Sequence, residues 1–118
     1  ANRARESEAS TYAGTINRAQ QAYRLENRTF AQYFNDLEAG IGSTSGDTDN
    51  DIQTEFYDYL ITNWANDGSR VDITATPRDE NLHGFRGCTN ATGGQSDADL
   101  VKADDVGSGK VPEDTDCF

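Results

Sequence analysis

Residues 1–28 read ANRARESEASTYAGTINRAQQAYRLENR, and the spacing of their apolar side chains decides the fold. Small, aliphatic and aromatic side chains recur in steps of three and four residues, at Ala9, Tyr12, Ile16, Ala19 and Tyr23, with Ala13 widening the stripe. Positions three and four apart share one face of an α-helix. The stretch therefore predicts a long amphipathic helix that buries one side against the rest of the chain.

The beginning of this helix carries no clear start signal. Ala1, Asn2 and Arg3 are followed at once by charged helix-forming residues. We therefore expect that the helix continues upstream of residue 1 in the full protein and that a segment has been removed there.

The composition predicts one folded domain with long polar loops. The chain has 118 residues, of which 34% are hydrophobic, and a formal net charge of −11. Residues 1–28 hold five arginines and three glutamates, a net charge of +2, so the remainder carries −13. An acidic body repels phosphate, which argues against nucleic-acid binding by that body. No run of about 18 apolar residues occurs, so these residues predict neither a membrane span nor a signal peptide.

Two segments separate the helix from the first predicted strand. Residues 29–41 place Phe30, Phe34 and Leu37 at helical spacing and approach a stop at Gly40. They predict a short helix or turn that docks aromatic rings onto the body. Residues 42–51 consist of Gly, Ser, Thr, Asn and Asp alone, which predicts an exposed loop.

Three later segments predict strands of an antiparallel sheet. Residues 56–64 are rich in aromatic and β-branched side chains, although both faces carry apolar groups and the buried face stays open. Residues 70–76 alternate, with Val71, Ile73 and Ala75 on one face. A turn at 66–68 joins these two strands, and a third strand is expected near residues 82–89.

The C-terminal residues 90–118 carry few apolar side chains, and their composition alone would leave them disordered. The two cysteines of the chain, Cys88 and Cys117, form no CxxC pair. An even number of cysteines in a small acidic chain suggests one disulfide in an oxidising compartment, with two unrelated buried thiols as the alternative. Such a disulfide would hold the tail to the sheet and stabilise the fold by roughly 3–4 kcal/mol.

The order of these parts resembles a type IV pilin headgroup, and the match is most specific in residues 1–34. These residues resemble the cyanobacterial general pilins of the G/H pilin-like group. In that group a (K/R)AR(E/Q)SEA stretch, here residues 3–9, leads to an NRAQQAYxLEN segment, here residues 17–27. An aromatic turn follows, here with Phe30 and Phe34. Over residues 42–81 the resemblance is architectural only.

The resemblance implies the α+β pilin fold, in which a long N-terminal amphipathic helix packs on a three- to four-stranded antiparallel sheet. The chain would be a single headgroup domain, residues 1–118. Its expected parts are the C-terminal half of the pilin helix (1–28), the αβ-loop (29–55), the antiparallel sheet (56–89) and a D-region (88–118). The pair Cys88 and Cys117 resembles the disulfide that closes the D-region in many pilins.

The resemblance also implies a structural, non-catalytic subunit that polymerises into a cell-surface fibre for motility, adhesion or DNA uptake. Its partners would be other pilin subunits in a helical homopolymer, minor pilins and the pilus assembly machinery. The precursor would be anchored in the inner membrane by an apolar upstream segment, then cleaved and methylated, with this domain in the periplasm. The residues expected at subunit contacts lie on the helix: Arg3, Arg5, Glu6, Glu8 and Ala9.

Two other functions stay open beside the pilus subunit. Within the same family, the chain could be a type II secretion pseudopilin. From another class, it could be a secreted, disulfide-closed module that binds a ligand through its loops.

The sequence predicts no catalytic, cofactor or metal site. His83 is the single histidine, so a nucleophile, base and orienting acid cannot be assembled around a second one. Asp47, Asp49 and Asp51 resemble the start of a calcium loop, but Ile52 stands where an EF-hand requires Gly, and Asp58 stands where it requires Glu. The alternative is a looser calcium site, there or among Asp97, Asp99, Asp104, Asp105 and Asp116.

Overall fold

The computed structural model describes residues 2–37 and 50–118 of the chain. Its elements are helix α1 (Asn2–Asn27), a 3-10 turn (Phe34–Asp36), strands β1 (Asp51–Gln53), β2 (Tyr57–Thr62), β3 (Arg70–Pro77), β4 (His83–Thr92) and β5 (Gln95–Val106), and a second 3-10 turn (Asp114–Asp116). The strands form one antiparallel sheet in the order β1-β2-β3-β4-β5, and α1 packs across β3, β4 and β5. The α+β arrangement expected of a pilin headgroup is confirmed.

The expected number of strands, three or four, is wrong, because the described residues form a sheet of five. β1 pairs with β2 at the end of the predicted exposed loop. β5 runs through the tail whose composition predicted disorder, and it pairs with β4 from Thr92–Gln95 at the turn to His83–Val106 at the far end. Gly93 and Gly94, with φ of 58° and 87°, form the tight turn between them. Backbone hydrogen bonds to β4, rather than apolar side chains, order this segment.

One face of the sheet forms the hydrophobic core with the helix. The predicted inner face of β3 is confirmed, since Val71, Ile73 and Ala75 are buried. The sequence left open which face of β2 is buried. The structure shows that its odd-numbered residues are, because Tyr57, Tyr59 and Ile61 lie in the core next to β3. Across the sheet, α1 contributes Ala9, Ala13 and Ile16.

The helix meets the middle of the sheet at very short range. The Asn17 side chain lies over Gly87 of β4, where an added Cβ would come within 2.6 Å of Asn17 Oδ1 and 2.8 Å of Ile73 Cγ2. Asn17 Nδ2 donates a hydrogen bond to the carbonyl oxygen of Asp99 in β5, over 3.0 Å. A side chain at position 87 would therefore push the helix away from both β4 and β5.

The described segment after the helix is mostly irregular rather than helical. Residues 34–36 alone form a 3-10 turn, and the residues beyond 37, including the expected stop at Gly40, lie outside the described part of the chain. Gln20 of α1 holds this irregular backbone in place. Its Nε2 donates to the Ala31 carbonyl oxygen (2.9 Å), and the Ala31 amide donates to its Oε1 (2.8 Å). Phe30, Phe34 and Leu37 are nevertheless buried, as expected.

A charged cluster occupies the opposite face of the sheet. The Asp72 side chain is fully buried, with its Oδ1 2.9 Å from Arg70 Nε and its Oδ2 2.8 Å from Arg86 Nη2. Asn63 Nδ2 adds a third donor at 3.2 Å. The carboxylate is therefore surrounded by donors that replace its lost hydration.

The same arginines hold the C-terminal segment over this face. Arg86 Nη1 donates to the carbonyl oxygen of Pro112, and Arg70 Nη2 donates to that of Asp114. The disulfide Cys88–Cys117 joins the end of the segment to β4. The bonded pair expected from the sequence is thus present, and it acts together with the arginine contacts.

We predict that Gly87→Ala destabilises the domain by roughly 1–3 kcal/mol, because the added methyl group overpacks the site against Asn17 and Ile73. The matched control is Gly14→Ala in α1, where the nearest atom to an added Cβ is Arg18 Nη1 at 3.5 Å. This variant should gain roughly 0.5–1 kcal/mol from helix propensity. Urea unfolding followed by Trp64 fluorescence compares the two, and a neutral Gly87→Ala would contradict the close approach.

We predict that Asp72→Ala costs roughly 3 kcal/mol of unfolding free energy, because it leaves Arg70 and Arg86 without their buried counter-ion. Asp58→Ala serves as the control, since Asp58 pairs with Arg78 at 3.9 Å with both side chains more than a third exposed. That pair should be worth less than about 1 kcal/mol. Thermal and urea unfolding measure the loss of unfolding free energy in each variant. Equal losses would contradict the role of Asp72 as the buried counter-ion of Arg70 and Arg86.

Candidate assembly surface on the helix

The five helix residues expected at subunit contacts divide between the surface and the interior. Arg3 and Glu8 are exposed, and Arg5 and Glu6 are half-buried. Ala9 is fully buried in the core, so its side chain packs on the sheet and leaves no surface for a neighbouring molecule. The helical spacing of the apolar residues placed Ala9 correctly in the core. Because it is buried there, Ala9 is not among the residues that can contact another subunit.

Glu6 connects the first turns of the helix to the start of β4. Its Oε2 accepts a hydrogen bond from the His83 amide at 2.8 Å and lies 2.7 Å from His83 Nδ1. Its Oε1 is 3.8 Å from Lys102 Nζ of β5. Burial acts to raise the pKa of Glu6, but the hydrogen bonds from His83 and the nearby positive charges outweigh it and hold the pKa below its usual value.

Tyr57 extends this network beneath the helix. Its hydroxyl donates to the His83 carbonyl oxygen over 2.6 Å, and its ring lies 6.4 Å from that of Phe85. Burial, with the Glu6 carboxylate as a second cause, raises the pKa of Tyr57 to about 12. His83 is therefore held through its ring and backbone by Glu6 and Tyr57, which makes it a structural residue at the start of β4.

Aromatic contacts hold the rest of the N-terminal half of the helix. The Arg5 guanidinium lies 3.8 Å from the centre of the Phe56 ring, a cation–π contact. The rings of Tyr12 and Tyr59 are 4.4 Å apart and tilted. These contacts fix the direction in which Arg3 and Glu8 project from the domain.

The sequence reading missed the polar side chains that seat the C-terminal half of the helix. Asn17 and Gln20 are buried, Arg24 Nε donates to the Gly68 carbonyl oxygen, and Gln21 Nε2 donates to that of Ser96. A signal was available, because positions 13, 17 and 20 continue the helical spacing of the buried stripe. Polar side chains at such positions indicate buried hydrogen bonds to irregular or edge backbone.

Within residues 2–37 and 50–118, the aspartates considered for calcium form no group that could hold an ion. Asp47 and Asp49 lie outside that part, and no group of three or more His, Cys, Asp or Glu side chains within it could hold an ion. Asp99 accepts hydrogen bonds from the Leu100 and Phe118 amides, and Asp116 accepts one from the Glu113 amide. These two carboxylates are thereby occupied by backbone donors.

Of the helices in the described residues, none has both the length and the apolar character needed to cross a bilayer.

Comparison with known families identifies the class of protein. The profile of the type IV pilin-like G and H family matches residues 6–103. This range covers most of α1, all of β1 to β4, and β5 except its last three residues. The chain therefore belongs to the type IV pilin-like G and H family.

Family membership gives the general character of the protein. The family is structural rather than enzymatic, and it implies assembly with other pilins into pilus-like polymers outside the cell. Searches of curated proteins and of solved structures gave no significant match.

We predict that Glu6→Gln lowers stability at neutral pH by roughly 1 kcal/mol, since it keeps the acceptor oxygen but removes its charge. Because the folded chain lowers the pKa of Glu6, its contribution is complete above the ordinary value of 4.5 and is lost as the pH falls through the lower, folded value. The gap between wild type and variant should therefore close in acid.

Urea unfolding at about pH 7 and about pH 3 measures this gap. Glu26→Gln, which changes an exposed carboxylate near the other end of the same helix, is the control and should show little effect at either pH. A gap that persists unchanged at the lower pH would contradict the assignment to the Glu6 charge.

Proposed function

We propose that this chain is the headgroup of a type IV pilus subunit and that it polymerises through its helix into a cell-surface fibre. The observation that carries the proposal is the family match over residues 6–103. The described structure supports it, because one side of α1 is buried on the sheet while the other side stays exposed from Arg3 to Leu25.

Burial separates the helix residues that we propose to contact other subunits from those that act within the chain. Arg3 and Glu8 provide charged contacts to neighbouring subunits, whereas Glu6 and Arg5 act mainly within the chain through His83 and Phe56. We treat residues 1–118 as one headgroup, since the buried residues of α1 and of the sheet form a common core. An apolar segment preceding residue 1 would anchor the precursor in the inner membrane and later form the fibre interior.

The disulfide is consistent with the proposed location. Cys88 and Cys117 are joined in the described chain, and such bonds persist in the periplasm and at the cell surface. The excess of acidic residues outside the helix keeps nucleic acid from binding that body directly, so DNA uptake would be a property of the fibre and its other components. Motility and adhesion are the other processes that such a fibre serves.

Electron microscopy of cells with and without the gene tests the proposal. Antibodies against residues 1–118 should label surface fibres of wild-type cells and leave deletion cells unlabelled. Label along the whole fibre with loss of all thick fibres on deletion indicates a major pilin, whereas sparse label with fibres retained indicates a minor one. Label confined to the periplasm would instead favour a type II secretion pseudopilin, and secreted protein outside any fibre would favour a ligand-binding module.

A further inference from the structure

A groove runs along the N-terminal half of α1, between the helix and the β1–β2 edge of the sheet. It encloses about 560 Å³. Among the described residues, the helix lines it with four small or short side chains, Thr11 among them, and with the larger Glu8 and Tyr12, while Ile52 and Tyr59 are the apolar residues on the sheet side. The short side chains of the helix leave space for an inserted side chain beside the rings of Tyr12 and Tyr59.

An exposed leucine lies on the same helix. Leu25 is 83% exposed, more than any other large apolar side chain in the described part of the chain. It stands two residues before the end of α1, with the exposed Arg18 and Arg28 on either side in sequence. A single exposed leucine is ordinary on a protein surface, so its meaning depends on what could receive it.

The charges around the two features are opposite. Residues 18–28, which surround Leu25, carry three arginines and one glutamate, a net charge of +2. On the strand side, Glu55 adjoins Thr54 of the lining, whereas Asp51 and Asp58 alternate to the opposite face of the sheet from Ile52 and Tyr59. The helix wall adds Glu8 to the lining. A leucine in basic surroundings thus matches a groove with an acidic border.

We propose that Leu25 of one copy of this chain inserts into the groove of a second copy. The inference rests on the proposed function and names the headgroup contact through which the subunits meet. Thr11 in the groove and Leu25 are fourteen residues apart on one continuous helix, about 21 Å along its axis. The contact therefore joins two different surfaces, so each copy keeps one free groove and one free Leu25.

Contacts of this kind propagate, because a head-to-tail contact that does not close on itself builds an open filament. The contact is also weak on its own. A single inserted side chain buries far less than the roughly 1,000 Å² of a stable interface, so it forms when subunits are already held together. Isolated copies of the 118-residue chain are then monomeric at micromolar concentration.

Cysteine cross-linking in the full-length protein tests the contact. We would introduce Thr11→Cys and Leu25→Cys together into the native gene and oxidise intact fibres. The two new thiols cannot pair within one chain, because about 21 Å of rigid helix separates them and a disulfide needs Cα atoms within about 7 Å. We expect a ladder of dimers, trimers and higher species on non-reducing gels that collapses on reduction.

Three controls make the ladder specific. Thr11→Cys alone and Leu25→Cys alone should give no ladder, because a heterologous contact brings unlike positions together. Thr11→Cys with Leu60→Cys should give none either, since Leu60 projects from the other face of the sheet. A dimer from a single variant would indicate a symmetric contact and would overturn the proposal.

A charge reversal keeps the test valid if the cysteine variants fail to assemble. Arg18→Glu should reduce the protein recovered in sheared fibres roughly tenfold, and adding Glu8→Arg to the same chain should restore it. Fibres that contain the double-cysteine protein as monomers, or a reversal without rescue, would overturn the docking while the proposed function stands. Wild-type protein absent from fibres would overturn the proposed function itself.

Discussion

The fold depends on the missing side chain at Gly87, because it lets the helix lie directly on the centre of the sheet. Asn17 fills that space and bonds to the backbone of β5. The small side chains Ala9 and Ala13 continue the close contact towards the N-terminus of the helix. Gln20 then fixes the irregular segment that follows, through its paired hydrogen bonds to Ala31. The position of the helix thus sets the course of the chain on both sides of it.

On the other face of the sheet, charged groups hold the C-terminal segment where apolar side chains are scarce. Burying Asp72 between Arg70 and Arg86 carries a large desolvation penalty, which the hydrogen-bonded ion pairs offset. The arrangement also fixes the course of the C-terminal segment, because each guanidinium donates a hydrogen bond to one backbone carbonyl oxygen of that segment. With the disulfide fixing the end, a polar segment of defined course covers the sheet without a second apolar core.

The helix and the inner face of β3 could be predicted because their apolar residues repeat with the period of the element. β5 could not, since its side chains are largely polar and its order comes from backbone pairing with β4, which composition does not reveal. For the candidate site, the helical spacing already assigned Ala9 to the buried stripe, whereas the exposure of Arg3 and Glu8 could be read only from the structure. The environment of half-buried Glu6 could not be predicted either, because its hydrogen-bond partner His83 lies 77 residues away in the chain.

β5 also leaves a long open border, since no described strand pairs with its outer side. A strand of twelve residues with no neighbouring strand on one side would ordinarily invite another strand to join and would lead towards amyloid-like stacking. Here the border carries Asp97, Asp99, Asp104 and Asp105, so two such borders repel each other when they approach. In a family whose members assemble into pilus-like polymers, such repulsion separates ordered growth from uncontrolled sheet extension.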